Sequence, residues 1–169
     1  MNLNINQVSS KTAAELRVAR RARIKGVKGK GKTQRHVFLS ADARLALADY
    51  LDQEHCKDQV DMPLEKMPLF LSAKGIPARS RDGRLSSRSI NNILDQIGRW
   101  HDAELEDTER HISPLRPHDL RHTFAFQLAK VTGADTYELE RRLGHRSQRY
   151  IQRYTNPPED VAASYIETF

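Results

Sequence analysis

The sequence predicts an α+β domain that is mostly helical, with a small antiparallel β-sheet near its N-terminus. Along most of the chain, apolar residues recur at helical spacing, and residues that commonly cap helices precede them. A glycine-rich turn at 28–32 leads into an alternating segment, as in a β-hairpin. With 169 residues, the chain is long enough for one domain with its own core.

The sheet is expected within the first forty residues. Residues 3–8 alternate apolar and polar side chains, as a short strand or a connecting segment would. Residues 13–23 fit either a basic helix or a long basic strand. In the segment 34–39, Val37 and Leu39 would lie on the same side of a strand.

Two helices and a short strand are predicted in the middle of the chain. Ser40 can cap a helix over 41–54. Its buried stripe would contain Leu47, Tyr50 and Leu51. Residues 68–72 have the composition of a short buried strand. Ser86 or Ser87 then begins a second helix, whose apolar residues at helical spacing are Ile90, Ile93, Leu94 and Ile97.

The C-terminal third is predicted to be helical throughout. Pro117 suits the start of a helix and Gly133 its end. The buried face of this helix would contain Leu120, Phe124, Leu128 and Val131. Asp135 can cap a short helix and Ser147 another over 148–154, and an amphipathic helix would end the chain.

The positive charge of the chain is local. The formal net charge is +6, yet residues 16–41 contain nine Lys and Arg and no Asp or Glu. The remainder then has 19 basic against 22 acidic residues. A local basic stretch is the expected footprint of a protein that binds a polyanion such as nucleic acid, although a solvated basic loop has the same composition.

Composition also excludes several classes of protein. No apolar run approaches the roughly 20 residues that a membrane span needs. The single Cys56 excludes an internal disulfide and suits a reducing cytoplasm. Neither clustered carboxylates nor Cys and His ligands are present for a catalytic ion, so we expect no metal and no cofactor.

Two short motifs contain residues suited to phosphoryl chemistry. His118 and Arg121 are three apart and therefore share a helix face. An arginine can hold a phosphate by two parallel hydrogen bonds, and a histidine can move a proton near neutral pH. Tyr154 follows His145 by nine residues. Alone, Tyr154 and Tyr150 are more typical of the packing face of a short helix.

Taken together, the motifs resemble those of the tyrosine recombinases, also called phage integrases. Residues 29–35, Gly-Lys-Gly-Lys-Thr-Gln-Arg, are similar to the lysine hairpin of the family. Residues 118–125, His-Asp-Leu-Arg-His-Thr-Phe-Ala, resemble its central helix. Leu143-Gly144-His145 followed by Tyr154 resembles its terminal block. The resemblance covers roughly residues 3–156 and implies the catalytic-domain fold of that family.

The resemblance implies a reaction at a DNA phosphodiester. Tyr154 would attack the phosphorus and form a 3′-phosphotyrosyl link with a free 5′-hydroxyl. Arg121 and His145 would stabilise the charge that builds on the phosphoryl oxygens, and His118 would assist proton transfer. Lys30 would protonate the departing 5′ oxygen. Because the covalent link stores the bond energy, religation would need neither ATP nor a metal.

The resemblance also implies partners and a location. Double-stranded DNA would be the substrate, and the parent protein would self-associate on it as a tetrameric synapse. Further DNA contacts are expected from Lys28, Lys32, Arg35, His122 and Arg146. A bacterial or phage-encoded protein of the cytoplasm, associated with the nucleoid and not with a membrane, fits this interpretation.

The chain departs from the family pattern in one important respect. The family has a further catalytic arginine on a helix well before the lysine hairpin, and that block does not occur here. Arg17 only superficially resembles it. We therefore expect residues 1–169 to form most of a single catalytic domain, without the first catalytic-arginine helix or the N-terminal core-binding domain. Such a chain is expected to be feeble or inactive in complete recombination.

Alternatives remain open at the level of both residue and function. Tyr150 could replace Tyr154 as the nucleophile, and Lys28 or Lys32 could replace Lys30. A decayed recombinase fragment acting only as a DNA-binding module would contain the same motifs. A basic, helix-rich RNA-binding protein would share the charge pattern and would tolerate the loss of the tyrosine.

Overall fold

The computed structural model describes residues 3–29, 34–77, 79–144 and 148–155. The chain divides into two compact units, Met1–Ser113 and Pro114–Phe169. The first unit contains a β-hairpin and several helices, and the described part of the second contains three helices. Across the described ranges, no helix has both the length and the apolar character that crossing a membrane requires.

The hairpin of the first unit consists of strands β1 (Ala22–Lys28) and β2 (Gln34–Leu39), paired antiparallel. A short helix, α1 (Ala13–Val18), precedes β1. The sequence left open whether residues 13–23 form a helix or a strand. The structure has both, a helix followed by the start of β1. The register shifts within β1, where Gly26 has a φ of 63° that other residues rarely adopt.

The helices of the first unit begin where the sequence predicts. The Ser40 hydroxyl accepts a hydrogen bond from the backbone N–H of Ala43 and caps α2 (Ala41–Tyr50). The chain then continues through a π-helical turn into the short helix α3 (Cys56–Asp58). Ser86 caps the long helix α4 (Ser87–Ala103) in the same way. Two 3₁₀ turns, Ile5–Gln7 and Thr108–Arg110, complete the unit.

Residues 68–72 are largely buried, as predicted, and residues 3–8 form the connecting segment that the sequence left as an alternative to a strand; neither segment belongs to a ladder. Segments 3–8 and 68–72 meet in a single isolated bridge, Asn4 to Pro68, and Leu71 forms another with Arg84. Backbone hydrogen bonds, such as the one from the Leu69 N–H to the Leu3 carbonyl, and side chains together satisfy the backbone there. The Leu71 N–H, for example, donates to the Tyr50 hydroxyl at 2.9 Å. The core beside these segments contains Ile5, Val8, Leu16, Ala22, Ile24, Leu47, Ala48 and Leu69.

The second unit contains α5 (Pro117–Thr132), α6 (Thr136–Leu143) and α7 (Gln148–Thr155). Pro117 is the first residue of α5, and Gly133 ends it with a φ of 63°, as predicted. The Asp135 carboxylate accepts hydrogen bonds from two N–H groups in the first turn of α6. The predicted Ser147 cap and the predicted final helix lie outside the described residues.

The predicted buried face of α5 is wrong for three of its four residues, and only Leu128 packs against the core, partly buried. Leu120, Phe124 and Val131 are 47%, 52% and 82% exposed, whereas Ala125 and Ala129 are buried against α6 and α7. At 100° per residue, the three large side chains lie on the opposite side of the helix from these alanines. Small residues let neighbouring helices approach closely. The core of this unit contains Ala125, Ala129, Leu139, Leu143, Ile151 and Tyr154.

Candidate active site

The candidate nucleophile is held inside the second unit. Tyr154, near the end of α7, is only 8% exposed. Its hydroxyl lies 2.7 Å from Nδ1 of His122 on α5. The ring of Phe126 meets the Tyr154 ring edge to face, with centroids 5.2 Å apart. The tyrosine therefore packs as a core residue while its hydroxyl has a titratable partner.

A stripe of three residues along α5 forms the wall beside this tyrosine. His118, His122 and Phe126 are spaced by four residues and so lie along one edge of the helix. The His118 ring packs edge to face on His122 at 4.6 Å. His118 itself is exposed, whereas His122 is partly buried. The partly buried His122 thus contacts both the exposed His118 ring and the tyrosine hydroxyl.

Arg121 connects two of the sequence motifs. Its guanidinium donates a hydrogen bond from Nη2 to the carbonyl oxygen of Leu143, the buried last residue of α6. Gly144 follows with a φ of 67° and ends that helix. The arginine of the His-x-x-Arg motif therefore holds the end of α6. A guanidinium has five N–H donors in a planar fork, so this contact uses part of its hydrogen-bonding capacity.

The structure places some predicted site residues and not others. Lys30, Lys32, His145, Arg146 and the side chain of Tyr150 lie outside the described part of the chain. Their predicted roles remain predictions.

Two of the predicted DNA contacts of the hairpin, Lys28 and Arg35, lie on its strands. Lys28 is exposed at the end of β1, opposite Gln34, and Arg35 is on β2, opposite Val27. Both therefore lie close to the turn of the hairpin. Among the residues that the structure describes, no group of three or more His, Cys, Asp or Glu side chains could hold a metal ion.

Arg17 has a structural partner. Its guanidinium lies 2.7 Å from the Asp49 carboxylate and 3.2 Å from the Asp52 carboxylate. These two ion pairs join α1 to the end of α2 and to the turn after it. The hydrogen bonds that Arg17 donates to these two carboxylates, first to Asp49 and then to Asp52, raise the pKa of Arg17 above its usual value. This double ion pair gives Arg17 a structural role in holding α1 to α2.

His122 is the residue whose position the sequence interpretation did not anticipate. We predicted it as a DNA contact, and the structure places its imidazole against the Tyr154 hydroxyl. The signal was present in the four-residue spacing of His118, His122 and Phe126. It was missed because the predicted buried face of α5 was centred on the opposite side of the helix.

Comparison with known proteins identifies the class to which this fold and site belong. A sequence model of the phage integrase family matches residues 3–160, so the chain belongs to that family. The predicted family and fold class are confirmed.

Individual relatives agree with this assignment. The chain is 33% identical over 134 residues to tyrosine recombinase XerC of Oceanobacillus iheyensis. It is 32% identical over 143 residues to tyrosine recombinase XerD of Bifidobacterium longum. These alignments cover 79% and 82% of this chain but 39% and 41% of the relatives. The chain thus spans about two fifths of the length of these relatives.

Solved structures share the fold. The XerA recombinase superposes with a TM-score of 0.61 at 24% identity, covering 99% of this chain and 50% of that one. XerH bound to palindromic difH substrate, in a post-cleavage complex, superposes with a TM-score of 0.64 at 22% identity. That match covers 98% of this chain and 39% of the XerH chain.

Proposed function

We propose that this chain contains the strand-cleaving centre of a site-specific DNA recombinase that acts through a 3′-phosphotyrosyl intermediate. One observation supports this most directly. The Tyr154 hydroxyl lies 2.7 Å from an imidazole on the same helix that contains His118 and Arg121. A nucleophile within hydrogen-bond reach of a base is the arrangement that nucleophilic catalysis requires.

In the proposed reaction, Tyr154 attacks the scissile phosphorus. Arg121 and His145 stabilise the developing charge on the non-bridging oxygens, the electrostatic effect that commonly contributes most to such steps. His118 assists proton transfer, and Lys30 protonates the 5′ oxygen as it departs. The reverse reaction, with a 5′-hydroxyl from another strand, exchanges the DNA ends.

The proposed partner is double-stranded DNA. The basic hairpin supports this, since its exposed Lys28 and the neighbouring Arg35 belong to a stretch without acidic residues. Relatives of the same fold are described as complexes with difH substrate or with circular-intermediate DNA. We further propose self-association on DNA and a location in the bacterial cytoplasm.

A pool of nicked duplexes with randomised sequence tests the proposal. A nick beside the scissile phosphate lets the short 5′-hydroxyl fragment diffuse away, so the covalent protein–DNA product accumulates. We expect this product with the wild-type chain and with Tyr150→Phe, and its complete loss with Tyr154→Phe. Sequencing the trapped DNA then reveals the target site.

The rival interpretations give different results in the same assay. Binding of the duplex pool without a covalent product would favour a DNA-binding module and would contradict the proposal. Preferential binding of single-stranded RNA, unaffected by Tyr154→Phe, would favour an RNA-binding protein. A covalent product that persists in Tyr154→Phe and disappears in Tyr150→Phe would move the nucleophile to Tyr150.

A further inference from the structure

The geometry points to His122, rather than His118, as the group that takes the proton from Tyr154 when the tyrosine attacks DNA. This inference rests on the proposed function and assigns a catalytic role to a residue that we had predicted to be a DNA contact. It depends on which imidazole nitrogen meets the tyrosine hydroxyl in the folded chain.

A tyrosine nucleophile needs a base nearby. A tyrosine hydroxyl in water ionises near pH 10, so only about one in a thousand is ionised at pH 7. A positioned general base typically contributes about 10²–10⁴-fold to a rate. The base must lie within hydrogen-bond reach of the proton that it removes, and distance is therefore the first criterion.

His122 satisfies this criterion directly. Its Nδ1 lies 2.7 Å from the Tyr154 hydroxyl oxygen. In the neutral ring with its proton on Nε2, Nδ1 accepts the hydrogen bond that the hydroxyl donates. The tyrosine is 8% exposed and packed against Phe126, so water has little access to compete for this proton.

His118 occupies a different place. Its ring contacts the His122 ring, with centroids 4.6 Å apart, and its side chain is exposed. It therefore lies one ring farther from the nucleophile, on the solvent side of the stripe. This position suits contact with a phosphate oxygen or relay of a proton from His122, and not direct removal of the Tyr154 proton.

The hydroxyl proton of Tyr154 moves to Nδ1 of His122, which becomes an imidazolium. The freed oxygen forms a bond to phosphorus while the bond from phosphorus to the 5′ oxygen breaks. That oxygen takes a proton from an acid, in our proposal the Lys30 ammonium. On religation, His122 returns its proton to the tyrosine oxygen.

Three variants separate proton transfer from simple positioning, with the nicked duplex pool as substrate. His122→Ala removes the base. His122→Asn keeps a hydrogen-bond acceptor near the place of Nδ1 but cannot remove the proton. Gln127→Ala lies on the opposite side of the same helix and serves as the matched control. Circular dichroism and duplex affinity establish that each variant is folded and binds DNA.

We expect His122→Ala and His122→Asn each to slow formation of the covalent product by about 100-fold or more, with Gln127→Ala unchanged. Added imidazole should restore part of the rate in His122→Ala, where it can enter the vacated space, and not in His122→Asn. A structural role alone would produce no such rescue.

The outcomes distinguish this inference from the proposed function. If the wild type forms the covalent product and His122→Asn forms it at the same rate, the role of His122 is refuted and the recombinase assignment stands. Two results together would also overturn proton transfer and favour a positioning role. Imidazole would fail to restore the rate of His122→Ala, and His122→Asn would regain the rate that His122→Ala loses. If the wild type forms no covalent product, both fail together.

Discussion

Tyr50 and Tyr154 have nearly the same ring neighbours in the two units of the molecule. Tyr50 has a histidine at 5.7 Å and a phenylalanine at 5.7 Å, and Tyr154 has them at 5.7 Å and 5.2 Å. Their hydroxyl groups differ. The Tyr50 hydroxyl accepts from the backbone N–H of Leu71, whereas the Tyr154 hydroxyl meets an imidazole nitrogen.

The histidines beside the two tyrosines also differ in their hydrogen-bond partners. Buried His55 has both ring nitrogens engaged elsewhere, with the Pro68 carbonyl at 2.9 Å and the Gln59 amide at 3.3 Å. It therefore cannot serve Tyr50 as a base. His122 directs Nδ1 at the tyrosine itself. Ring packing thus indicates where an aromatic residue is buried, and only its hydrogen-bond partner indicates whether its hydroxyl can react.

After substitutions of Tyr154 and His122, we expect substitution of Arg121 to have the largest effect on formation of the covalent product. Substitution of Arg84 serves as the matched comparison. Both donate to a backbone carbonyl, Arg84 to Leu3 at 2.9 Å and Arg121 to Leu143. Arg121→Ala should slow formation of the covalent product by about 10²–10³-fold, because a charge-stabilising donor is lost. Arg84→Ala should lower stability and leave the rate per folded molecule unchanged. Equal effects of both variants on the rate would contradict the distinction.

A smaller effect is expected at Tyr50. Tyr50→Phe removes the acceptor of the Leu71 N–H and should lower the free energy of unfolding by about 1–3 kcal/mol. It should leave formation of the covalent product unchanged. Urea unfolding and the nicked-duplex assay on the same preparation measure both quantities. Loss of product formation in Tyr50→Phe at full stability would show that the two tyrosines are not functionally distinct.

The pKa of Tyr50 provides a second sign of this structural role. Burial raises the pKa of Tyr50 above its usual value, although the hydrogen bond from Leu71 opposes the shift. A tyrosine that resists ionisation is a poor nucleophile at neutral pH. Tyr50 is therefore suited to holding the segment 68–72 in place.

The smallest effect is expected from substitution of Asp102, which should change stability. Like the Tyr50 hydroxyl, the Asp102 carboxylate has a structural role. Its carboxylate accepts from the N–H groups of Ile112 and Ser113 at 2.7 and 2.9 Å and from the Ser113 hydroxyl. Burial alone would raise the pKa of Asp102, but these bonds and one from His101 hold it well below its ordinary value. Asp102→Asn should therefore modestly lower stability at pH 7.

The pH dependence of this effect has a definite sign. Because the pKa of Asp102 is lowered by folding, its contribution is fully present above the unfolded-state value of about 3.9. It is lost as the pH falls below that value through the lowered pKa. The stability difference between wild type and Asp102→Asn should thus stay constant from neutral pH to about pH 4 and shrink below it. A difference that shrinks between pH 7 and pH 5 would contradict the assignment.

Helix ends were predictable from the sequence because caps act locally. Ser40, Ser86 and Asp135 accept hydrogen bonds from the first turns that follow them, and Gly133 has the positive φ expected of a helix stop. The buried face of α5 was not predictable in this way. It depends on which helices pack against it, and Ala125 and Ala129 give a weaker signal than the larger residues on the opposite side.

The candidate site was likewise predictable from the sequence only in part. The motifs identified Tyr154, Arg121 and His118 as a set, and α5 and α7 bring the tyrosine to the histidine stripe. The role of His122 was hidden because it depends on a contact between residues 32 apart in the chain. Sequence spacing placed His122 on the edge of α5 that His118 shares, but only the packing of α7 directs Tyr154 to its Nδ1.

The central claim is that Tyr154 is the nucleophile, and peptide mapping of the trapped covalent product tests it most directly. Mass spectrometry of the digested product should find the nucleotide attached through a 3′-phosphate to the peptide that contains Tyr154, with a free 5′-hydroxyl on the released strand. A nucleotide attached to Tyr150 or to Tyr50, or a product with a 5′-phosphate link, would contradict the account.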